Sequence, residues 1–200
     1  MTMFNSRNLS LIAALTLLPS VAFAHPGHDT SGLMAGLLHP LMGWDHLLAM
    51  VAVGMLAVMG RQKMAWQLPV AFVSFMLIGA LIGISGIAIP AVEMGILISL
   101  VALGGLLAFN GNHRMSTYVP ALSVCCALFG MLHGNAHGLE LPASASAISY
   151  ISGFTLATIA LHLAGCAVAR IGVSKWQAIA LKTSGVAIAG AGLFGMLSVM

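Results

Sequence analysis

Past residue 24 the chain is a succession of long apolar runs separated by short polar or turn-forming breaks. Six runs stand out, at roughly 33–59, 67–87, 90–109, 117–134, 147–169 and 176–199. Each is near the ~20 residues that a helix needs to cross ~30 Å of hydrocarbon. Pro69, Pro90 and Pro120 fall near run starts, where a missing backbone N–H costs least. Glycine and alanine fill the runs, as in Gly104-Gly105 and Gly190-Ala191-Gly192, and small residues let membrane helices approach closely. The pattern predicts an all-α membrane protein whose six spans pack as a compact helical bundle.

Composition supports this class. Apolar residues make up 60% of the chain and charged residues 6%, against about 25% charge in soluble domains. Two hundred residues are taken up by six spans, so no separate soluble domain is expected. Residues 1–24 read as a secretory signal peptide, with Arg7 before the apolar stretch Leu9 to Leu18 and an A-x-A site at Ala22-Phe23-Ala24. Cleavage there leaves residues 25–200 as the membrane domain; an uncleaved signal anchor is the alternative. Either way the segment around His25 is expected outside the cytoplasm. The first, third and fifth loops then face inward. The basic residues Arg61, Lys63, Arg114, Arg170, Lys175 and Lys182 lie in or beside those loops, as the positive-inside rule requires. Both mature termini are expected on the periplasmic side of a bacterial inner membrane.

Three cysteines, Cys125, Cys126 and Cys166, lie in apolar runs with neither redox nor zinc spacing, and read as small core residues. The chemistry concentrates elsewhere. His39-Pro40-Leu41-Met42-Gly43-Trp44-Asp45-His46 sets two imidazoles and a carboxylate inside the first run. An ionisable group at membrane depth costs roughly 2.5–3.5 kcal/mol, so it usually has a partner and a task. His39 and His46 are two helical turns apart, and a kink at Pro40 or Gly43 would let Asp45 join them. A second cluster, His133-Gly-Asn-Ala-His137-Gly-Leu-Glu140, closes the fourth run. If helical, its i, i+4 and i+7 positions line one face. Imidazole with carboxylate suits divalent ions of the nickel, zinc, copper and iron group. The topology puts both clusters in the outer half of the membrane, which predicts one shared metal site.

Other residues leave two readings open. His25, His28 and Asp29 form either a flexible tail or a metal-collecting one. Glu93 complements the N-terminus of the third span or faces the shared site. His162, deeper in the fifth span, is a satisfied core histidine or a relay below that site. His113 beside Arg114 reads as solvated, and the fourteen methionines read as core filling rather than a copper path. Asn110, Asn112 and Asn135 show no spacing that selects a role.

The first motif, His39-Pro-x-x-Gly-x-Asp45-His46, together with His133-Gly-x-Ala-His137-Gly-x-Glu140, resembles the HupE/UreJ family of bacterial nickel permeases. The likeness covers signal peptide, spans and both motifs in order. It implies secondary uptake of Ni2+, with Co2+ as an alternative cargo, in support of hydrogenase or urease maturation proteins. It assigns His39, Asp45 and His46 to metal recognition, and His133, His137 and Glu140 less firmly. No permanent cofactor, enzymatic activity or nucleic-acid partner is expected, and no P-loop is present for ATP hydrolysis. A non-transporting metal-binding accessory protein and an intramembrane metalloenzyme are the rival readings.

Overall fold

The structure of the chain, a computed structural model, describes residues 32–59, 66–109, 115–170 and 174–199. The signal peptide, the tail residues His25, His28 and Asp29, and His113 lie outside the described residues. Seven helices occur among the described residues: α1 (Gly32–Met42), α2 (Trp44–Met59), α3 (Gln67–Ile84), α4 (Val92–Phe109), α5 (Met115–Leu139), α6 (Ala147–Arg170) and α7 (Ser174–Val199). No strand is present among them. Helices α3 to α7 are each long and apolar enough to cross a bilayer, and the α1–α2 pair makes a sixth crossing if taken as one broken span.

The first run is therefore two helices rather than one. They meet at Gly43 with a bend of 83°. Pro40 stays inside α1, so the break falls at the glycine and not at the proline. Gly43 acts as the start of α2, its carbonyl accepting the first helical hydrogen bond from the Leu47 N–H at 2.9 Å. A Cβ at Gly43 would crowd Asp45 Oδ1 and His46 Nδ1, each 3.1 Å away, so the absent side chain leaves room for those two groups to close over the turn.

The fourth run also differs from the sequence expectation. Helix α5 does not stop near residue 134 but continues to Leu139, which puts His133 and His137 inside it. The cause is a stripe of small residues. Gly130, Gly134 and Gly138 lie four apart, and a Cβ on each would overlap the carbonyl oxygen of Phe72, Met76 and Ala80 respectively in α3. The two backbones run parallel in direct contact along this stripe, and the contact holds α5 helical beyond His133. A similar approach joins α1 to α6, where Gly36 meets the Tyr150 carbonyl and Gly153 the Leu33 carbonyl. Helices α4 and α7 close through Gly104 and Gly185.

Between α3 and α4 the chain turns through Gly86 and Ala91, both with positive φ (83° and 56°). Asn135 of α5, fully buried, holds this turn. Its Nδ2 donates to the Ile87 carbonyl at 2.8 Å, and its Oδ1 accepts from the Ile89 N–H at 2.9 Å. The sequence suggested no role for Asn135; the amide closes both backbone groups of a turn that leads directly into Glu93.

Candidate metal site

The bend at Gly43 turns the ends of α1 and α2 toward the last two turns of α5. His39 Nε2 donates to Glu140 Oε2 at 2.7 Å. Glu140 follows α5 immediately and keeps a helical bond from its N–H to the Ala136 carbonyl at 3.2 Å, so it shares the face of His133 and His137. Its Oε2 lies 3.9 Å from His137 Nδ1, beyond hydrogen-bond range. One ligand atom from each of His39, His137 and Glu140 can be chosen so that all three fall within 4.8 Å of one another.

The second pair of imidazoles lies deeper. The His46 ring centroid is 4.5 Å from that of His137 and 5.0 Å from that of His133, while His39 is 4.9 Å from His137. Four histidines from three helices thus form one continuous group. Asp45 Oδ1 accepts from both the His46 backbone N–H and His46 Nδ1, each at 2.8 Å. That bond fixes the tautomer and leaves Nε2 with its lone pair. His133 is set in the same way, its Nδ1 donating to the Phe129 carbonyl at 2.8 Å. The His137 ring stacks on Phe154 at 5.3 Å.

The result is a set of buried donor atoms without partners. His46 Nε2, His133 Nε2 and both ring nitrogens of His137 have no hydrogen bond, although His133 and His137 are 0% and 1% exposed. An unsatisfied buried polar atom costs about 1–3 kcal/mol. These open nitrogens lie on rings whose centroids are 4.5–5.0 Å apart, while among the described residues the set whose ligand atoms all fall within 4.8 Å is His39, His137 and Glu140.

A cavity of about 480 Å³ opens over this group, lined by His39, Met42, Gly43, Asp45, His46, Glu93, His137 and Glu140. At about 30 Å³ per water it has room for an ion with its hydration shell. The whole chain has four acidic residues, and three of them, Asp45, Glu93 and Glu140, line this one cavity. Among the described residues, no Lys or Arg lines it. Glu93 therefore faces the cavity from the first turn of α4, the second of its two sequence readings. Outside the spans, hydrogen bonding from His39 holds the Glu140 carboxyl below its ordinary value of 4.5, against the opposing effect of burial.

His162 sits apart from the group, in α6. Tyr150, unremarked in the sequence, joins the site's border, with its ring 5.8 Å from His39 and its hydroxyl buried without a partner. Nothing in its local pattern marks it, because its place depends on the α1–α6 contact.

The fold and cavity together define a multi-pass membrane protein with a histidine- and carboxylate-lined chamber among its helices. The chain belongs to the HupE/UreJ family: residues 13–194 match the HupE / UreJ protein family. It is 44% identical over 191 residues to Protein HupE of Rhizobium leguminosarum bv. viciae, covering 94% of this chain and 97% of that protein. No solved structure matches the chain.

Proposed function

We propose that the chain is a secondary transporter that takes up Ni2+, with Co2+ as a second cargo, across the bacterial inner membrane for hydrogenase or urease maturation. The observation that carries this reading is the convergence of three of the chain's four acidic residues and three histidines on one cavity. A cavity of that charge attracts a cation, and imidazole nitrogens favour a late first-row ion over Mg2+ or Ca2+.

In this reading residues 1–24 are a cleaved signal peptide, residues 25–200 the transporting domain, and both mature termini are periplasmic. Hydrated Ni2+ enters past Glu93 and exchanges waters for His39, His137 and Glu140. It then passes to His46 and His133, whose Nε2 atoms point their lone pairs inward. Asp45 acts through His46 by fixing its tautomer. The tail residues His25, His28 and Asp29 raise the ion's concentration at the mouth. Two charges moving down 100 mV gain roughly 4.6 kcal/mol, enough to drive accumulation without ATP.

The test is 63Ni uptake into proteoliposomes containing only this protein, with and without an imposed potential, in competition with Co2+, Zn2+ and Cu2+. Potential-dependent uptake blocked by excess Co2+ is expected. Tight metal binding with no uptake would replace this reading with that of an accessory protein.

A further inference from the structure

The segment from Met42 to His46 makes the break between α1 and α2 and the first turn of α2. Met42, Gly43, Asp45 and His46 line the metal cavity, and Trp44 does not. Successive helical residues turn by about 100°, so His46 points about 200° away from Trp44. The His46 ring faces α5, at 5.0 Å from His133 and 4.5 Å from His137. The Trp44 ring faces α7 instead. A Cβ placed on Gly195 would stand 3.0 Å from Cη2 and 3.4 Å from Cζ2 of Trp44, so the far edge of the indole rests on α7 where a side chain is missing. Leu97 of α4 reaches the same point, with Cδ2 2.6 Å from that Cβ position. Glu93, which lines the cavity, lies one turn before Leu97 on the same face of α4.

The first turn of α2 needs such a contact. The 83° bend separates it from α1, and the His46 N–H is taken by Asp45 Oδ1 at 2.8 Å. Its direction therefore has to come from side chains. A half-exposed tryptophan in a membrane protein is ordinarily an anchor in the headgroup belt. That role needs no glycine opposite the ring. We infer that Trp44 is a positioning residue for the metal chamber: its indole, seated on Gly195 beside Leu97, sets the angle at which Asp45 and His46 meet His133 and His137. This inference rests on the transporter reading above, through its metal site alone. The turn is held between α7 on the indole side and α5 on the imidazole side. The depth to which the indole sinks at Gly195 sets how far His46 reaches into the group, and Leu97 ties the same contact to the helix that carries Glu93.

The experiment measures equilibrium 63Ni binding and thermal unfolding of the purified protein in nanodiscs. It compares the parent with Trp44→Phe, Trp44→Ala, Gly195→Ala, Gly195→Leu and the Trp44→Ala/Gly195→Leu double variant. Trp44→Ala and Gly195→Leu are each expected to weaken 63Ni binding about tenfold, the lower end of what loss of an orienting group costs. Trp44→Phe and Gly195→Ala, the milder changes, are expected to weaken it less and to unfold at the parental temperature. The double variant should bind no more weakly than Trp44→Ala alone, because a leucine at 195 then has no indole to displace. Gly190→Leu, where nothing lies within 4 Å of the Cβ position, should bind as the parent does. Multiplied losses in the double variant would mean that Gly195 acts without Trp44, and would overturn the inference. Parental binding in both Gly195 variants would leave Trp44 an interface anchor only, overturning it while the transporter reading stands. Losses that appear only where the unfolding temperature falls would reduce the contact to fold stability, and would overturn it too. A parent that binds no 63Ni would remove the metal site and the inference with it.

Discussion

The Nε2 atom of His39 lies 2.7 Å from Oε2 of Glu140, so α1 and the end of α5 meet at one hydrogen bond between residues 101 positions apart. The bond stabilises the ionised carboxylate and lowers its protonation range from the ordinary 4.5. A depressed carboxylate contributes its stabilisation above the unfolded value and loses it as pH falls through the folded one. The pairing should therefore persist throughout pH 5–8 and fail only in acid below 4.5. Infrared difference titration of the carboxylate bands should find Glu140 protonating below 4.5 in the parent, and closer to it in His39→Ala. Identical titrations in the two proteins would show that the bond does not form in the membrane.

Asp45 and His46 predict a graded loss. In the proposed route His46→Ala removes a ligand nitrogen, whereas Asp45→Asn removes the carboxylate that hydrogen-bonds and orients it. Loss of such an orienting partner typically costs 10–100-fold in metal affinity. Asp45→Asn should weaken 63Ni binding within that range, and His46→Ala should weaken it further. The double variant should add little to His46→Ala alone, because Asp45 has nothing left to orient. Full additivity, read by equilibrium dialysis, would make Asp45 an independent ligand.

The glycines divide into two sorts that composition cannot tell apart. A Cβ at Gly134 would overlap the Met76 carbonyl oxygen, while at Gly190 nothing lies within 4 Å. Overpacking a tight contact costs about 1–3 kcal/mol, and more where backbone must move. Gly134→Ala should lower the thermal unfolding temperature in detergent and reduce metal binding, because α5 carries His133 and His137. Gly190→Ala should stay within about 0.5 kcal/mol of the parent. Equal behaviour of the two variants would refute the α3–α5 contact.

Much of this organisation is legible along the chain. Six apolar runs suffice for the membrane class, because length and hydropathy are local properties. The two clusters are legible because ionisable residues are so rare in such runs. Their convergence was readable only through topology, which set both toward one side. What stayed hidden was non-local. The end of α5 at Leu139 depends on Met76 and Ala80 of α3, which no window around His133 contains. Tyr150 reaches His39 only through the α1–α6 contact at Gly36 and Gly153. Nor does local spacing say that Glu93 shares a cavity with Glu140.

Asn135 gives the last prediction, since its amide ties α5 to the turn that leads into α4. Asn135→Ala would strip the partners from the Ile87 carbonyl and the Ile89 N–H, at about 1–3 kcal/mol. The turn from Ser85 to Ala91 would loosen, and Glu93 at the start of α4 would lose its fixed approach to the cavity. Hydrogen exchange should rise at 87–93 with little change in the α3–α5 contact. Metal uptake should show a raised KM at a nearly unchanged maximal rate, because on the proposed path Glu93 meets the ion at entry, before the deeper histidines. A lowered maximal rate with an unchanged KM would place Glu93 on the path of release and remove it from the mouth.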